Sequence, residues 1–141
     1  MANGTETKPN PDGFFADTGN QAACSVRVAL RTRPLITKEK GEKHVIFPKG
    51  NTITDARDKE FTYDAAFGPD SRQEQVFETC VKNLVLGCFL GFNATILAYG
   101  QTGSGKTWTM GSGYSKDVGP EDLGIIPRVI NLIFDEVEKR K

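Results

Sequence analysis

The chain has 141 residues, with 18 Lys and Arg against 18 Asp and Glu, 26% charged residues and 38% hydrophobic ones. That is enough chain for one packed domain, and a formal net charge of zero argues against a generally basic nucleic-acid binder or a membrane-surface binder. No apolar run reaches membrane-spanning length, the N-terminus lacks a hydrophobic signal core, and Ala2 stands where a myristoylation signal needs Gly.

Cys24, Cys80 and Cys88 are odd in number and fit no metal spacing, so they read as buried free thiols in a reducing compartment. With His44 as the only histidine, a His-based triad or a metal cluster within this chain is disfavoured. Residues 1–23 are rich in Asn, Gly, Thr, Pro and Asp without a period, and read as a disordered leader ahead of a folded part over 24–141.

Ser25 to Arg33 alternates, with Val26, Val28 and Leu30 on one face, and Pro34 ends the predicted strand because it cannot donate to a ladder. Arg31 and Arg33 lie two apart and so project the same way at the strand's C-terminal end, where open α/β sheets bind ligands. Together with Pro34 they are candidates for walling the base of a nucleotide. A charged connector over 36–43 leads to three short strand candidates, 44–47, 52–54 and 61–63, read as a small meander without chemistry. Phe67 to Asp70 reads as a turn. Ser71 with Glu74 fits a capping box opening an amphipathic helix through Val76, Cys80, Leu84 and Cys88, ended near Gly91.

The stretch from Ala94 to Met110, ATILAYGQTGSGKTWTM, carries the chemistry. A β-branched apolar run ends at Tyr99, and Gly100, Gln101, Thr102, Gly103, Ser104, Gly105, Lys106 and Thr107 satisfy G-x-x-x-x-G-K-[ST]. Glycines let successive N–H groups turn inward to form an anion cradle, and a helix opening there adds its positive end. Lys106 then carries an ammonium to the β and γ phosphates, and the Thr107 hydroxyl is a Mg²⁺ ligand. Trp108, the only tryptophan, is a candidate to stack on a base.

Gly111 to Gly124 is a long glycine-rich loop, read as a moving flap beside the nucleotide. Its Asp122-Leu123-Gly124 echoes a D-x-x-G switch, but no apolar strand precedes it, so it reads as loop. Ile126, Ile130, Ile133, Phe134 and Val137 predict a second amphipathic helix with Pro127 in its first turn and i,i+4 pairs Asp135–Lys139 and Glu136–Arg140.

VRVALRTRPL, FTYDAAFGPDSRQEQVF, FNATILAYGQTGSGKTWTMG and GIIPR, in this order, resemble the first part of a kinesin motor domain over residues 24–141, most like the kinesin-4 (chromokinesin-like) family. The resemblance implies an α/β fold, the kinesin-type P-loop NTPase with a three-layer α-β-α sheet, of which this is an incomplete N-terminal portion. It implies ATP and Mg²⁺ as cofactors, with Arg31, Arg33 and Pro34 lining the adenine and Gly100–Thr107 forming the phosphate loop. Lys106 falls on the phosphates, Thr107 on the Mg²⁺, and Trp108 where the family usually has Tyr or His against the base. Phe92 replaces the usual Tyr.

The implied activity is ATP-driven, plus-end-directed movement along microtubules in the cytoplasm. The family's switch motifs, N-x-x-S-S-R-S-H and D-L-A-G-x-E, do not occur in this sequence. No catalytic residue is therefore assigned, this portion alone is expected not to hydrolyse ATP, and tubulin contacts, coiled coil and oligomeric state are expected from regions beyond it. In the family a strand from the later part of the domain lies between the first strand and the P-loop strand. Both are thus expected to have unpaired edges here, and the isolated chain to be poorly stable. The alternative is a non-catalytic module that binds nucleotide or a partner. A small GTPase is disfavoured because N-K-x-D is missing.

Overall fold

The computed structural model describes residues 26–39, 41–43, 45–111 and 118–141. The expected leader, Cys24, His44 and residues 112–117 of the glycine-rich loop lie outside the described residues.

The first alternating stretch forms β1 (Ala29–Arg31), shorter than the nine residues that alternate. The meander follows as β2 (Ile46–Lys49), β3 (Thr52–Asp55) and β4 (Glu60–Thr62), an antiparallel sheet with Ile53 buried at its centre. Its boundaries lie within two residues of those read from the turn signals. Pro48 is accommodated because β2 is an edge strand. Directly after β4 comes β5 (Ala65–Phe67), a strand that the sequence reading did not contain, pairing in parallel with β1 at Ala29–Ala65 and Arg31–Phe67. The pair is extended at both ends, where Asp64 N–H donates to Val28 O and Thr32 N–H to Phe67 O. Two alanines and a phenylalanine give too short a pattern to announce a strand.

The helix expected from Val76 to Cys88 is two: α1 (Gln73–Cys80) and α2 (Lys82–Cys88). Val81 sits between them with φ −121°, yet its N–H still donates to Phe77 O and its carbonyl still accepts from Val85, so the chain bends without losing its ladder. The capping box lies one residue later than the sequence suggests. Arg72 is the N-cap, and the Gln75 side chain reaches back to its N–H at 2.8 Å. Phe77, Val81 and Val85 point to the core and Cys80 is half-buried, but Cys88 is exposed at the end of α2, which corrects its reading as a buried thiol. Burial pushes the Cys80 thiol up, which makes it a weak nucleophile.

After the glycine-rich turn comes α3 (Lys106–Met110), and after the loop α4 (Ile125–Lys139). Val76, Phe77, Val81, Val85 and Ile125 form the core, with Phe67, Ile96, Met110, Val129 and Leu132 packed on it. The face of α4 that the sequence assigns to burial is only partly covered. Ile126, Ile130, Ile133, Phe134 and Val137 are exposed, and α4 packs through Ile125, Val129 and Leu132 instead. On its polar side Glu136 pairs with both Lys139 (2.8 Å) and Arg140 (3.6 Å), while Arg140 also caps the Phe89 ring at 4.5 Å. The expected strand before the phosphate loop does not join a ladder among the described residues. Leu97 is 87% and Tyr99 fully exposed. A strand exists only against a neighbour that takes its N–H and C=O groups. Of the three-layer sheet, only the β1–β5 pair is therefore in place.

Gly124 fixes how α4 meets α3. A Cβ there would lie 2.8 Å from Gly111 N and Met110 C and 2.9 Å from Thr109 O, all backbone atoms that cannot rotate away. The D-x-x-G echo thus ends in a packing glycine. Gly124→Ala is expected to destabilise the chain by about 1–3 kcal/mol through overpacking. Gly87→Ala in α2, with no atom within 4 Å of its Cβ position, is expected to stabilise it by about 0.5–1 kcal/mol. Denaturant titration of the two variants against the parent chain reads both signs.

Candidate functional site

β1 delivers Arg31 and, two residues on, Arg33 to one side of the molecule, and the turn after Tyr99 brings the glycine loop against them. The loop conformation follows from its sequence. Gly100, Gly103 and Gly105 have φ values of 154°, 81° and 96°, which L side chains rarely adopt. Gly100 has a further reason, since a Cβ there would fall 2.5 Å from Ser104 Oγ. Ser104 N–H donates to Gln101 O at 3.2 Å, closing the turn. The Lys106 ammonium lies across its foot, donating to Gly100 O (2.7 Å) and Gln101 O (2.9 Å). The helix expected to follow is the five-residue α3, about one and a half turns, so its dipole adds little beside the loop amides.

A cavity of about 300 Å³ opens beside this loop. It brings together six of the twelve residues singled out from sequence: Arg31, Arg33, Pro34, Ser104, Gly105 and Trp108. The other six, Gly100, Gln101, Thr102, Gly103, Lys106 and Thr107, lie along the loop outside it, and Gln101, Thr102, Gly103 and Thr107 are exposed. The Trp108 side of the cavity is partly open, with the indole 45% exposed.

The two arginines do different work. Arg33 is bound to the loop and to a carboxylate. Its Nε donates to Gly103 O (2.9 Å), and its two terminal nitrogens meet the two oxygens of Glu39 at 2.7 Å each. Glu39 ends the 3-10 turn Thr37–Glu39, and its carboxylate also accepts from Ile36 N–H at 3.0 Å. Arg31 is half-buried and reaches inward. One terminal nitrogen donates to Gln73 Oε1 (2.7 Å) and Thr109 Oγ1 (3.1 Å), the other to Ser71 O (2.9 Å).

Gln73, Glu39 and Arg128 are the residues that sequence reasoning missed. Gln73 is the one buried polar residue among the described residues, 3% exposed. Besides accepting from Arg31 it donates from Nε2 to Trp108 O (2.6 Å) and Asp122 O (3.3 Å). Its signal was a polar residue three and four positions before Val76 and Phe77, on the apolar face of the helix. Arg128, in the GIIPR segment, donates to the carbonyls of Leu123, Pro120 and Glu121 at 2.8–3.2 Å. These bonds hold residues 120–123, including the 3-10 turn Pro120–Asp122, in place. That half of the expected flap is fastened rather than free, because its carbonyls are already spent on Arg128 and Gln73.

The site thus consists of a strand leading to Arg33-Pro34, a glycine loop crossed by its own lysine, and a cavity lined by Arg33, Pro34, Ser104, Gly105 and Trp108. A kinesin motor domain profile matches residues 21–141. The chain belongs to the kinesin motor domain family. It is 48% identical over 125 residues to kinesin-like protein KIF21B of Mus musculus, covering 86% of this chain and 8% of that protein. It is 49% identical over 120 residues to chromosome-associated kinesin KIF4A of Homo sapiens, covering 82% of this chain and 10% of that protein. The likeness to kinesin-4 proteins therefore holds, alongside an equal likeness to KIF21 proteins. In three dimensions it superposes on the Drosophila kinesin Kin10/NOD, solved with divalent manganese and ADP. The TM-score is 0.71 at 35% identity, over 82% of this chain and 38% of that one. The fold is thus that of an incomplete kinesin-type P-loop NTPase, and the chain spans about a tenth or less of the curated relatives named here.

The Arg33–Glu39 contact carries a pH signature. Hydrogen bonds from Arg33, then from Ile36 N–H, lower the Glu39 carboxyl from its ordinary 4.5 to about 2. A carboxyl with a depressed folded-state value stabilises the folded chain above its unfolded value and loses that contribution as pH falls through the folded one. The window is therefore about 4.5 down to 2. Glu39→Gln is expected to flatten the loss of stability across that window while leaving its slope above pH 5 unchanged. Acid titration of the two proteins, followed by circular dichroism, measures it.

Proposed function

We propose that this chain is the ATP-gripping part of a microtubule motor, and that Arg33, Pro34 and Trp108 bound the base while the Gly100–Thr107 loop takes the phosphates. The single observation that carries the reading is that Ser104 and Gly105 of that loop line one cavity together with Arg33, Pro34 and the only tryptophan. The residues fit a nucleotide. The cavity has room for a base and ribose (about 300 Å³), and the loop beside it is turned by glycines at positive φ, a conformation that presents backbone N–H groups to an anion. The Drosophila relative was solved with ADP and manganese, which supports nucleotide and divalent-metal binding here, with Mg²⁺ as the ion we favour.

Lys106 would hold the β and γ phosphates, exchanging its two loop carbonyls for phosphate oxygens. Thr107, exposed at the first turn of α3, would supply a hydroxyl ligand to Mg²⁺. Mg²⁺ bound to ATP neutralises charge developing on the phosphates during transfer to water. Arg31 is a brace behind the base wall rather than a base contact, since its terminal nitrogens already serve Ser71, Gln73 and Thr109.

Microtubules are the proposed partner, supported by the family and by a second structure in which Drosophila NOD is docked with bovine tubulin in a map of its microtubule complex. The proposed site of action is accordingly the cytoplasmic microtubule network, and no helix among the described residues is long and apolar enough to cross a membrane. Exposed Leu97, Tyr99, Ile130 and Phe134 are the contact faces for parts of a motor domain that this sequence does not contain. In the protein carrying this sequence, Lys106→Ala is expected to cut microtubule-stimulated ATP hydrolysis by at least about 100-fold, as loss of a phosphate-stabilising charge does. It is also expected to abolish gliding. Motility at the parent rate would refute the motor reading, and ATP binding without hydrolysis in the parent protein would favour a non-catalytic nucleotide module.

A further inference from the structure

We infer that Gln73, itself at the lining of the cavity, is the positioning residue of the base-binding wall, setting how tightly the base and ribose are held through the partners it orders. The inference rests on the nucleotide reading of the cavity and adds a residue to it. Three elements that line the cavity meet at this one side chain. β1 arrives through Arg31, whose Nη1 donates to Gln73 Oε1 at 2.7 Å. α3 arrives through the Trp108 carbonyl, which accepts from Gln73 Nε2 at 2.6 Å, and the 120–122 turn through the Asp122 carbonyl at 3.3 Å.

The orientation of the amide is fixed by its partners. A guanidinium only donates and a carbonyl only accepts, so a flipped amide would face donor with donor and acceptor with acceptor. At 3% exposure no water competes for these bonds, and loss of any one strands a buried polar group. Trp108 is thus held by its own backbone. The carbonyl of the residue carrying the indole is tied to the helix α1 that also anchors Arg31, which fixes the backbone from which the indole projects. The phosphate loop has no bond to Gln73 and is braced separately by Lys106 and Arg33. Gln73 therefore acts on the base side, through Arg31 and the Trp108 carbonyl, while Arg33 is the link between that side and the loop.

The test compares Mg²⁺·ATP with Mg²⁺·tripolyphosphate, which has the phosphates and no base, in the protein carrying this sequence. Gln73→Glu keeps length and the acceptor for Arg31 but sets a carboxylate oxygen against two carbonyls. Gln73→Met removes both functions at similar length. Each is expected to lower the advantage of ATP over tripolyphosphate by about tenfold, the scale of one or two buried hydrogen bonds, while tripolyphosphate affinity changes less than about twofold. Equal weakening of both ligands would mean that Gln73 only supports the fold, and unchanged affinities would mean that it does not matter. Either overturns the inference. A parent protein that binds ATP no better than tripolyphosphate, or neither, removes the nucleotide reading itself, a distinct result. Should both variants fail to fold, ¹⁵N NMR of the parent decides. The Gln73 side-chain amide signal is expected to shift with ATP and not with tripolyphosphate, and its failure to shift with ATP overturns the inference.

Discussion

The arrangement of the site follows from burying a guanidinium that cannot be neutralised. Arg31 sits at the end of β1, partly buried, and desolvation lowers its pKa while the guanidinium keeps its charge near neutral pH. Such a group must be given acceptors, and those it has come from Ser71, Gln73 and Thr109, which lie before α1, within it and in α3. Meeting one charge thus decides where two helices stand relative to the sheet. The three acceptors are neutral, so these hydrogen bonds solvate the charge with dipoles, and the acidic residues Asp70, Glu121 and Asp122 line the same cavity. Arg33, two residues past the end of β1, is the opposite case. Glu39 cancels it in a bidentate pair about a third exposed, leaving it a structural strut that ties the loop to β1.

From sequence alone, the two look alike. R-x-R-P announces two guanidiniums on one side of a strand, and period-two geometry does place both at the cavity. Which is cancelled and which is bound by neutral acceptors depends on Glu39 and Gln73, six and 42 residues away, and no local pattern encodes such distances. The phosphate loop was legible because its constraints are local. Glycine positions dictate backbone angles, and Lys106 follows at a fixed offset. The meander was legible because turn residues punctuate it. The strand β5 was not, since Ala65-Ala66-Phe67 gains its identity from lying parallel to β1.

The helices show the same division between local and distant causes. Periodicity found α4 with nearly correct bounds, yet assigned the wrong edge of its apolar stripe to the core. Ile125, Val129 and Leu132 meet α1 and α2, while Ile130 and Phe134 face outward. An apolar stripe wider than the contact it makes specifies two contacts, and here only one is formed. The exposed run through Leu97 and Tyr99 is the same phenomenon in extended chain: side chains and backbone groups suited to the middle of a sheet, without strands beside them. Uncovered surfaces of this kind agree with a superposition that covers 38% of the matched Drosophila chain. An uncovered strand edge and helix face also cost stability, and only five hydrophobic side chains close the main core.

Rigidity is therefore unevenly distributed across the cavity. On the base side, buried hydrogen bonds through Gln73 and Arg31 join strand and helices, and Arg128 and Gln73 together fasten the turn at 120–123. On the phosphate side, Gln101, Thr102, Gly103 and Thr107 are exposed, and the loop is shaped by glycine angles and by an ammonium resting on its own carbonyls. Those carbonyl contacts are exchangeable in a way that the buried amide contacts are not, because a phosphate oxygen offers the same ammonium a charged acceptor in place of neutral ones. On the proposed reading, a hydrogen-bonded wall beside a loop whose ammonium can trade partners suits a site where a base stays registered while the phosphate end responds to its occupant. The asymmetry follows from the partners, since the Gln73 amide is buried between fixed backbone and side-chain groups while the Lys106 ammonium rests on neutral carbonyls of an exposed loop.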